Sequence, residues 1–164
     1  MPSLRVANII EESFVDGPGI RLAIFVQGCH RRCTGCQNPT AQDFAGGKLI
    51  DTSEIISMLK RNPLIDGVTL SGGEPFEQPD ALADLCDDVH KLGYNIMAWS
   101  GYTFEQLAAD KGKRKLLERI DVLIDGELKE ELKSLNLLWR GSQNQRIIDV
   151  KNSIRENLIV ELNA

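Results

Sequence analysis

Residues 67–99 read GVTLSGGEPFEQPDALADLCDDVHKLGYNIMAW. Residues 67–71 (GVTLS) are a short, largely apolar run, which predicts a strand. Gly72-Gly73-Glu74-Pro75 breaks it. Residues 79–92 carry Leu82, Leu85, Cys86 and Val89 at helical spacing, and Gly93 closes the helix. Residues 94–99 are apolar again and predict the next strand. Strand, helix and strand in this order form a β-α-β unit, whose two strands lie parallel in one sheet.

The same alternation continues on both sides. Upstream, residues 21–27 (RLAIFVQ) predict a strand that begins after the turn Asp16-Gly17-Pro18-Gly19. Thr52 or Ser53 is placed to cap a helix that runs to about Arg61, with Ile55, Ile56 and Leu59 on one face; Asn62-Pro63 ends it. Downstream, residues 103–119 read as a helix with a break near Gly112. Residues 122–125 and 146–150 read as strands, and 151–164 as a short helix followed by a strand. The expected fold class is α/β, with a mostly parallel sheet in one domain over residues 1–164.

Length and composition narrow the function. At 164 residues the chain is too short for a complete eight-fold barrel of strands and helices, which takes about 250. It is 42% hydrophobic and 26% charged, as in ordinary globular proteins. Nineteen basic and 24 acidic residues give a net charge of −5. That argues against nucleic acid as a partner, because a basic face is needed to bind it. No apolar run approaches the roughly 18 residues of a membrane span, and the N-terminus shows no secretory signal. The expected location is the cytoplasm, with no membrane partner.

In a parallel sheet, ligands gather beyond the carboxyl ends of the strands. Four unusual segments fall there: the cysteine run after 21–27, Gly72-Gly73-Glu74-Pro75 after 67–71, Ser100-Gly101-Tyr102 after 94–99, and Asp125-Gly126-Glu127 at the end of 122–125. Together they define one composite site. The cysteines are spaced Cys29-x3-Cys33-x2-Cys36. Three thiolates this close suit one metal centre. If they hold a cubane of four irons, one iron is left with an open position, which favours catalysis over simple electron transfer. Two other readings use the same residues. A Cys3His zinc site would add His30, although neighbouring ligands in sequence are a poor geometry for one tetrahedral ion. An iron–sulfur electron carrier needs a fourth ligand, and Cys86 is the only spare cysteine. Cys86 lies on the apolar face of its helix and reads as a small buried hydrophobe.

Cys-x3-Cys-x2-Cys after a first strand, followed by Gly-Gly-Glu-Pro after a second, resembles the signature of the radical S-adenosylmethionine enzymes. Residues 15–21 (VDGPGIR) resemble the lead-in to the first strand in those members that activate glycyl-radical enzymes. Residues 139–146 (WRGSQNQR) resemble the C-terminal signature of the activators of anaerobic ribonucleotide reductase. The resemblance covers about residues 5–150.

The resemblance implies an incomplete, open (β/α) barrel. Cys29, Cys33 and Cys36 would hold a [4Fe-4S] cluster whose open iron takes the amino and carboxylate groups of S-adenosylmethionine. Gly72 and Gly73 would bind the methionyl amino group through the backbone, with Glu74 nearby. Gly35, Cys36 and Gln37 would contact the nucleoside; Gly35 stands where many of these enzymes place an aromatic residue. Ser100 is either a ligand contact or a turn serine, in a position where formate-lyase activators carry Asp-Thr-Asn-Gly. Asp125 is either a ligand contact or a turn carboxylate. Arg140, Ser142, Asn144 and Arg146 either brace the last strand or edge a partner surface. The partner would be the large glycyl-radical subunit of an anaerobic ribonucleoside-triphosphate reductase, or else another glycyl-radical enzyme such as formate lyase. An external one-electron donor would be required, because no second cluster motif or flavin fingerprint is present.

Overall fold

The computed structural model describes residues 2–29, 43–134 and 136–162. They form seven strands and five α-helices. These are β1 (Ser3–Ser13), β2 (Arg21–Val26), β3 (Lys48–Asp51), α1 (Thr52–Arg61), β4 (Gly67–Gly72), α2 (Pro79–Lys91), β5 (Asn95–Trp99), α3 (Phe104–Ala109), α4 (Lys111–Leu117), β6 (Val122–Asp125), β7 (Arg146–Asp149) and α5 (Val150–Glu156). A 3-10 turn, Pro75–Glu77, precedes α2.

The strands form one open sheet in the order β3-β1-β2-β4-β5-β6-β7. Its centre, β2-β4-β5-β6, is parallel. Both flanks are antiparallel: β1 against β2 and β3, and β7 against β6. The alternating pattern therefore holds for the middle of the sheet only. β1 and β3 are additions to the expected strand set. β1 pairs with β2 through two irregularities in register, between Val6 and Asn8 and between Ile10 and Ser13. Such bulges shift the inside–outside alternation that marks a strand in sequence.

Boundaries moved for local reasons. The N-cap of α1 is Asp51, whose carboxylate accepts from the Ser53 amide; it is neither Thr52 nor Ser53. The long helix expected over 103–119 breaks at Asp110, two residues before Gly112, because Asp110 caps a new helix by accepting from the Gly112 and Lys113 amides. Where residues 151–164 were expected to give a helix and then a strand, the described residues give α5 from Val150 and then a single bridge, Ile148 to Glu161.

The side chains divide by face. Leu22, Ile24, Val26, Val68, Leu70, Ile96, Ala98 and Leu123 alternate along the strands and bury against Ile55, Leu59, Leu82, Leu85, Val89, Leu107 and Leu116 from the helices. The other face carries a smaller cluster of Met97, Ile124 and Ile147 with Trp99, Val122 and Trp139. It also carries Arg21, which is 1% exposed. Arg21 donates to Thr69 Oγ1 (2.7 Å), the Val68 carbonyl (2.9 Å), Asn95 Oδ1 (2.7 Å) and the Pro18 carbonyl (3.2 Å). Burial pulls its pKa down, and Asp66 and Asp121 partly offset this. The 16–19 turn folds over it. A Cβ on Gly17, where φ is 126°, would stand 2.7 Å from Arg21 Cδ and 2.8 Å from Met97 Sδ.

Arg21→Leu would strand buried acceptors on three elements. We expect a loss of about 3 kcal/mol or more, or a fall in Tm of about 6–12 °C by thermal circular dichroism. An unchanged Tm would show that these bonds do not hold the amino end of the sheet.

Candidate functional site

The parallel register sets the carboxyl ends of the central strands side by side. Val26 pairs with Gly72, and Trp99 pairs with Ile124. The segments that follow β2, β4, β5 and β6 therefore meet at one end of the sheet.

Gly72 makes the closest approach possible. Its φ is 103°, and a Cβ there would stand 2.6 Å from both Phe25 C and Val26 O. The backbone then turns onto the end of β2: the Gly73 amide donates to the Val26 carbonyl (2.8 Å) and the Glu74 amide to the Gly28 carbonyl (2.8 Å). Gly28 immediately precedes Cys29, so the glycine motif is hydrogen-bonded to the start of the cysteine run.

Glu74 is 2% exposed. Its carboxylate caps the Pro75–Glu77 turn by accepting from the Phe76 amide (3.1 Å). It also accepts from Ser100 Oγ (3.0 and 3.1 Å) and the Gly101 amide (2.7 Å). Burial raises its pKa to about 7; the donors from Gly101, Phe76 and Ser100 oppose the rise, and the Glu77 charge adds to it. Ser100, 5% exposed, thus joins β5 to β4. Asp125, 1% exposed, accepts from the Phe104 amide (2.7 Å) and from Arg146 Nε and Nη2 (3.0 and 2.6 Å). Arg146 also meets Glu105 at 2.6 Å. Asp125 first and Glu105 second hold Arg146 firmly charged, and Arg146 in turn lowers the Glu105 pKa.

Cys29 is half-exposed just past the end of β2. Cys33, Cys36, Gly35 and Gln37 lie outside the described residues. The described residues that flank it are joined: Gln27 Nε2 donates to the Asp43 carbonyl (2.6 Å), and Gln78 Nε2 donates to the Gln27 carbonyl (3.1 Å). A half-exposed thiol on a braced strand end, with two more thiols within seven residues, is a donor set that fits an iron–sulfur cluster. Cys86 is 1% exposed in the helix-side core, and burial pushes its thiol pKa up, whereas a ligand must be a thiolate.

Two contributors carry no motif. Gln78 ties Arg5 of β1 to the end of β2, accepting from the Arg5 amide (2.9 Å) and donating to its carbonyl (2.8 Å). Trp99 Nε1 donates to the Trp139 carbonyl (2.7 Å), which brings the 139–146 segment to the end of β5. Within that segment Ser142, Asn144, Gln145 and Arg146 are all engaged in internal hydrogen bonds.

Residues 15–148 match the family model of the 4Fe-4S single cluster domain. The match spans the strand ends and the glycine turn described above, and it makes the chain an iron–sulfur domain protein. The anaerobic ribonucleoside-triphosphate reductase-activating protein of Pasteurella multocida (strain Pm70) is 37% identical over 142 residues, covering 81% of this chain and 89% of that protein. The proteins of the same name in Enterobacteria phage T4 and Escherichia coli (strain K12) are 35% and 34% identical, covering 82% and 80% of this chain and 86% and 89% of their own lengths. The chain belongs to this family of anaerobic ribonucleoside-triphosphate reductase-activating proteins.

Two predictions follow from the geometry. Gly72→Ala places a methyl group in backbone at positive φ and should cost about 2–5 kcal/mol in urea unfolding; a cost under about 1 kcal/mol would contradict the close approach. The pKa of Glu74 is higher in the folded chain than its ordinary 4.5. Its contribution to stability is therefore fully present below about pH 4.5 and is lost as pH rises to about 7, by about 3 kcal/mol. Glu74→Gln should flatten that slope in unfolding curves taken across this range, and an unaltered slope would assign it to another group.

Proposed function

We propose that this chain activates an anaerobic ribonucleoside-triphosphate reductase as a radical S-adenosylmethionine enzyme, working in the cytoplasm with an external one-electron donor. Cys29, Cys33 and Cys36 would hold the [4Fe-4S] cluster. The observation that carries this reading is the seam of hydrogen bonds from Gly73 and Glu74 to Val26 and Gly28. It fixes the glycine motif to the strand end that delivers the first cysteine. The names of the relatives support the choice of partner.

Held by Cys29, Cys33 and Cys36, the cluster would supply the one-electron reduction by which S-adenosylmethionine is cleaved, the chemistry needed to make a glycyl radical on the reductase. The protein's share is placement. The amide hydrogens of Gly73 and Glu74 are spent on β2. A methionyl ammonium, which only donates, would therefore meet backbone carbonyls of this turn. The Glu74 carboxylate behind the turn adds negative potential that favours an ammonium group. Ser100 and Gly101 orient Glu74, and Asp125, neutralised by Arg146, stiffens the far wall. Gly35, Cys36 and Gln37 would contact the nucleoside. The open sheet, with its helices on one face, would act as the incomplete barrel of this enzyme class. Its other face would admit a glycine-bearing segment of the partner.

The test is anaerobic reconstitution with iron and sulfide, then reduction with S-adenosylmethionine present. The expected product is 5′-deoxyadenosine. With the reductase added, electron paramagnetic resonance should show the doublet of a glycyl radical. Cys29→Ala should abolish both signals and Cys86→Ala should leave both. Absence of 5′-deoxyadenosine from the intact protein defeats the reading. Loss of the cluster in Cys86→Ala would make Cys86 a ligand and favour the electron carrier.

A further inference from the structure

Arg140 stands apart from its neighbours in the 139–146 segment. Arg146 joins Asp125 and Glu105, Gln145 bonds the Gly141 amide and the Gly126 carbonyl, and Asn144 bonds Ser142 and the Glu127 carbonyl. Arg140 Nε is buried with no hydrogen-bond partner. The guanidinium makes no hydrogen bond or ion pair with any described residue. The residue as a whole is half-exposed, and it is the Nε that is buried without an acceptor; natural structures seldom leave a buried donor so unless a further group completes it.

The fold holds this residue in place on both sides. The Trp139 carbonyl is fixed by Trp99 Nε1 at 2.7 Å, and the Gly141 amide donates to Gln145 Oε1 at 2.7 Å. Trp139 itself has φ 59°, a left-handed conformation that a bulky residue keeps only where its surroundings enforce it. It packs on Met97, Ile124 and Ile147, on the face opposite the helices. Trp99 directly precedes Ser100, which bonds Glu74. Arg140 thus follows a residue anchored at the end of β5, the strand end from which Ser100 reaches Glu74. The two buried carboxylates at this end are already committed, Glu74 to Ser100, Gly101 and Phe76, and Asp125 to Arg146 and Phe104.

We propose that Arg140 is a binding residue for a carboxylate that arrives from outside the chain, an inference that rests on the activase reading above. The planar guanidinium fork matches a carboxylate, and burial of one nitrogen strengthens the contact. On that reading two sources would carry such a group: the methionyl carboxylate of S-adenosylmethionine, and an acidic side chain of the reductase.

The experiment compares the reconstituted wild-type protein with Arg140→Gln and Arg140→Lys. Equilibrium binding of S-adenosylmethionine and of its decarboxylated analogue is measured for each, and glycyl radical yield is titrated against reductase at saturating S-adenosylmethionine. If the carboxylate is the methionyl one, the preference for S-adenosylmethionine over the analogue shrinks about tenfold in Arg140→Gln, or about 1.4 kcal/mol. If it belongs to the reductase, that preference holds and the half-saturating reductase concentration rises about tenfold. Arg140→Lys recovers part of either effect, since it keeps the charge and loses the fork. Either result supports the proposal. It is overturned if both variants match the wild type in both arms, or if both lose Tm and cluster content, which would make Arg140 a structural residue. A wild-type protein that neither binds S-adenosylmethionine nor forms 5′-deoxyadenosine brings down the activase reading itself, and the Arg140 proposal with it.

Discussion

Three strand ends are fastened by Glu74. Its amide reaches the Gly28 carbonyl beyond β2, its own backbone leaves β4, and its carboxylate takes donors from Ser100 and Gly101 beyond β5. The junction forms only because Gly72 brings the chain against Val26 at a distance that excludes a side chain. Burying a carboxylate is costly unless donors satisfy it, and here two backbone amides and a hydroxyl do so. The position of the first cysteine relative to the glycine motif depends on this arrangement. Gln27 and Gln78 extend it to Asp43 and to β1.

The opposite end of the sheet is built on the inverse charge. Arg21 is buried among neutral acceptors from the 16–19 turn, β4 and β5. It closes the amino end on the face that lacks helices, while the carboxyl end of that face is bordered by Trp99, Trp139 and the segment after them. The 15–21 and 139–146 motifs, far apart in sequence, both serve this face. One seals its amino end and the other edges its carboxyl end.

Much of this was legible in the sequence because it rests on local signals. Helical spacing in 79–92, the closing Gly93, and the apolar runs of β2, β4 and β5 each act within a few residues. The convergence of Gly72, Ser100 and Asp125 followed from the parallel order of those strands. β1 was hidden by its bulges and by its mixed exposure, since only Leu4, Val6 and Ser13 of its eleven residues are buried. β3 is four residues long and mostly exposed. Asp110 as a helix break was obscured because it looks like any surface acid until its carboxylate meets the Gly112 and Lys113 amides. Gln78 carries no motif, and although Trp139 and Arg140 stand in the 139–146 signature, their individual surroundings were not legible, because the Trp139 carbonyl meets a side chain 40 residues away. Ser100 and Glu74 were each visible, but their bond, between residues 26 apart, was not.

The Trp99–Trp139 contact also makes the molecule its own optical probe. The chain has two tryptophans, and they meet at the end of β5, where an indole N–H is bound to the carbonyl of the other residue. Near-ultraviolet absorption and emission from indole therefore originate at one place, the border between β5 and the 139–146 segment. Displacement of that segment from the sheet alters the polarity around both rings together. Events at the edge of the open face can thus be followed in the unlabelled protein, wherever a visible chromophore does not quench the signal.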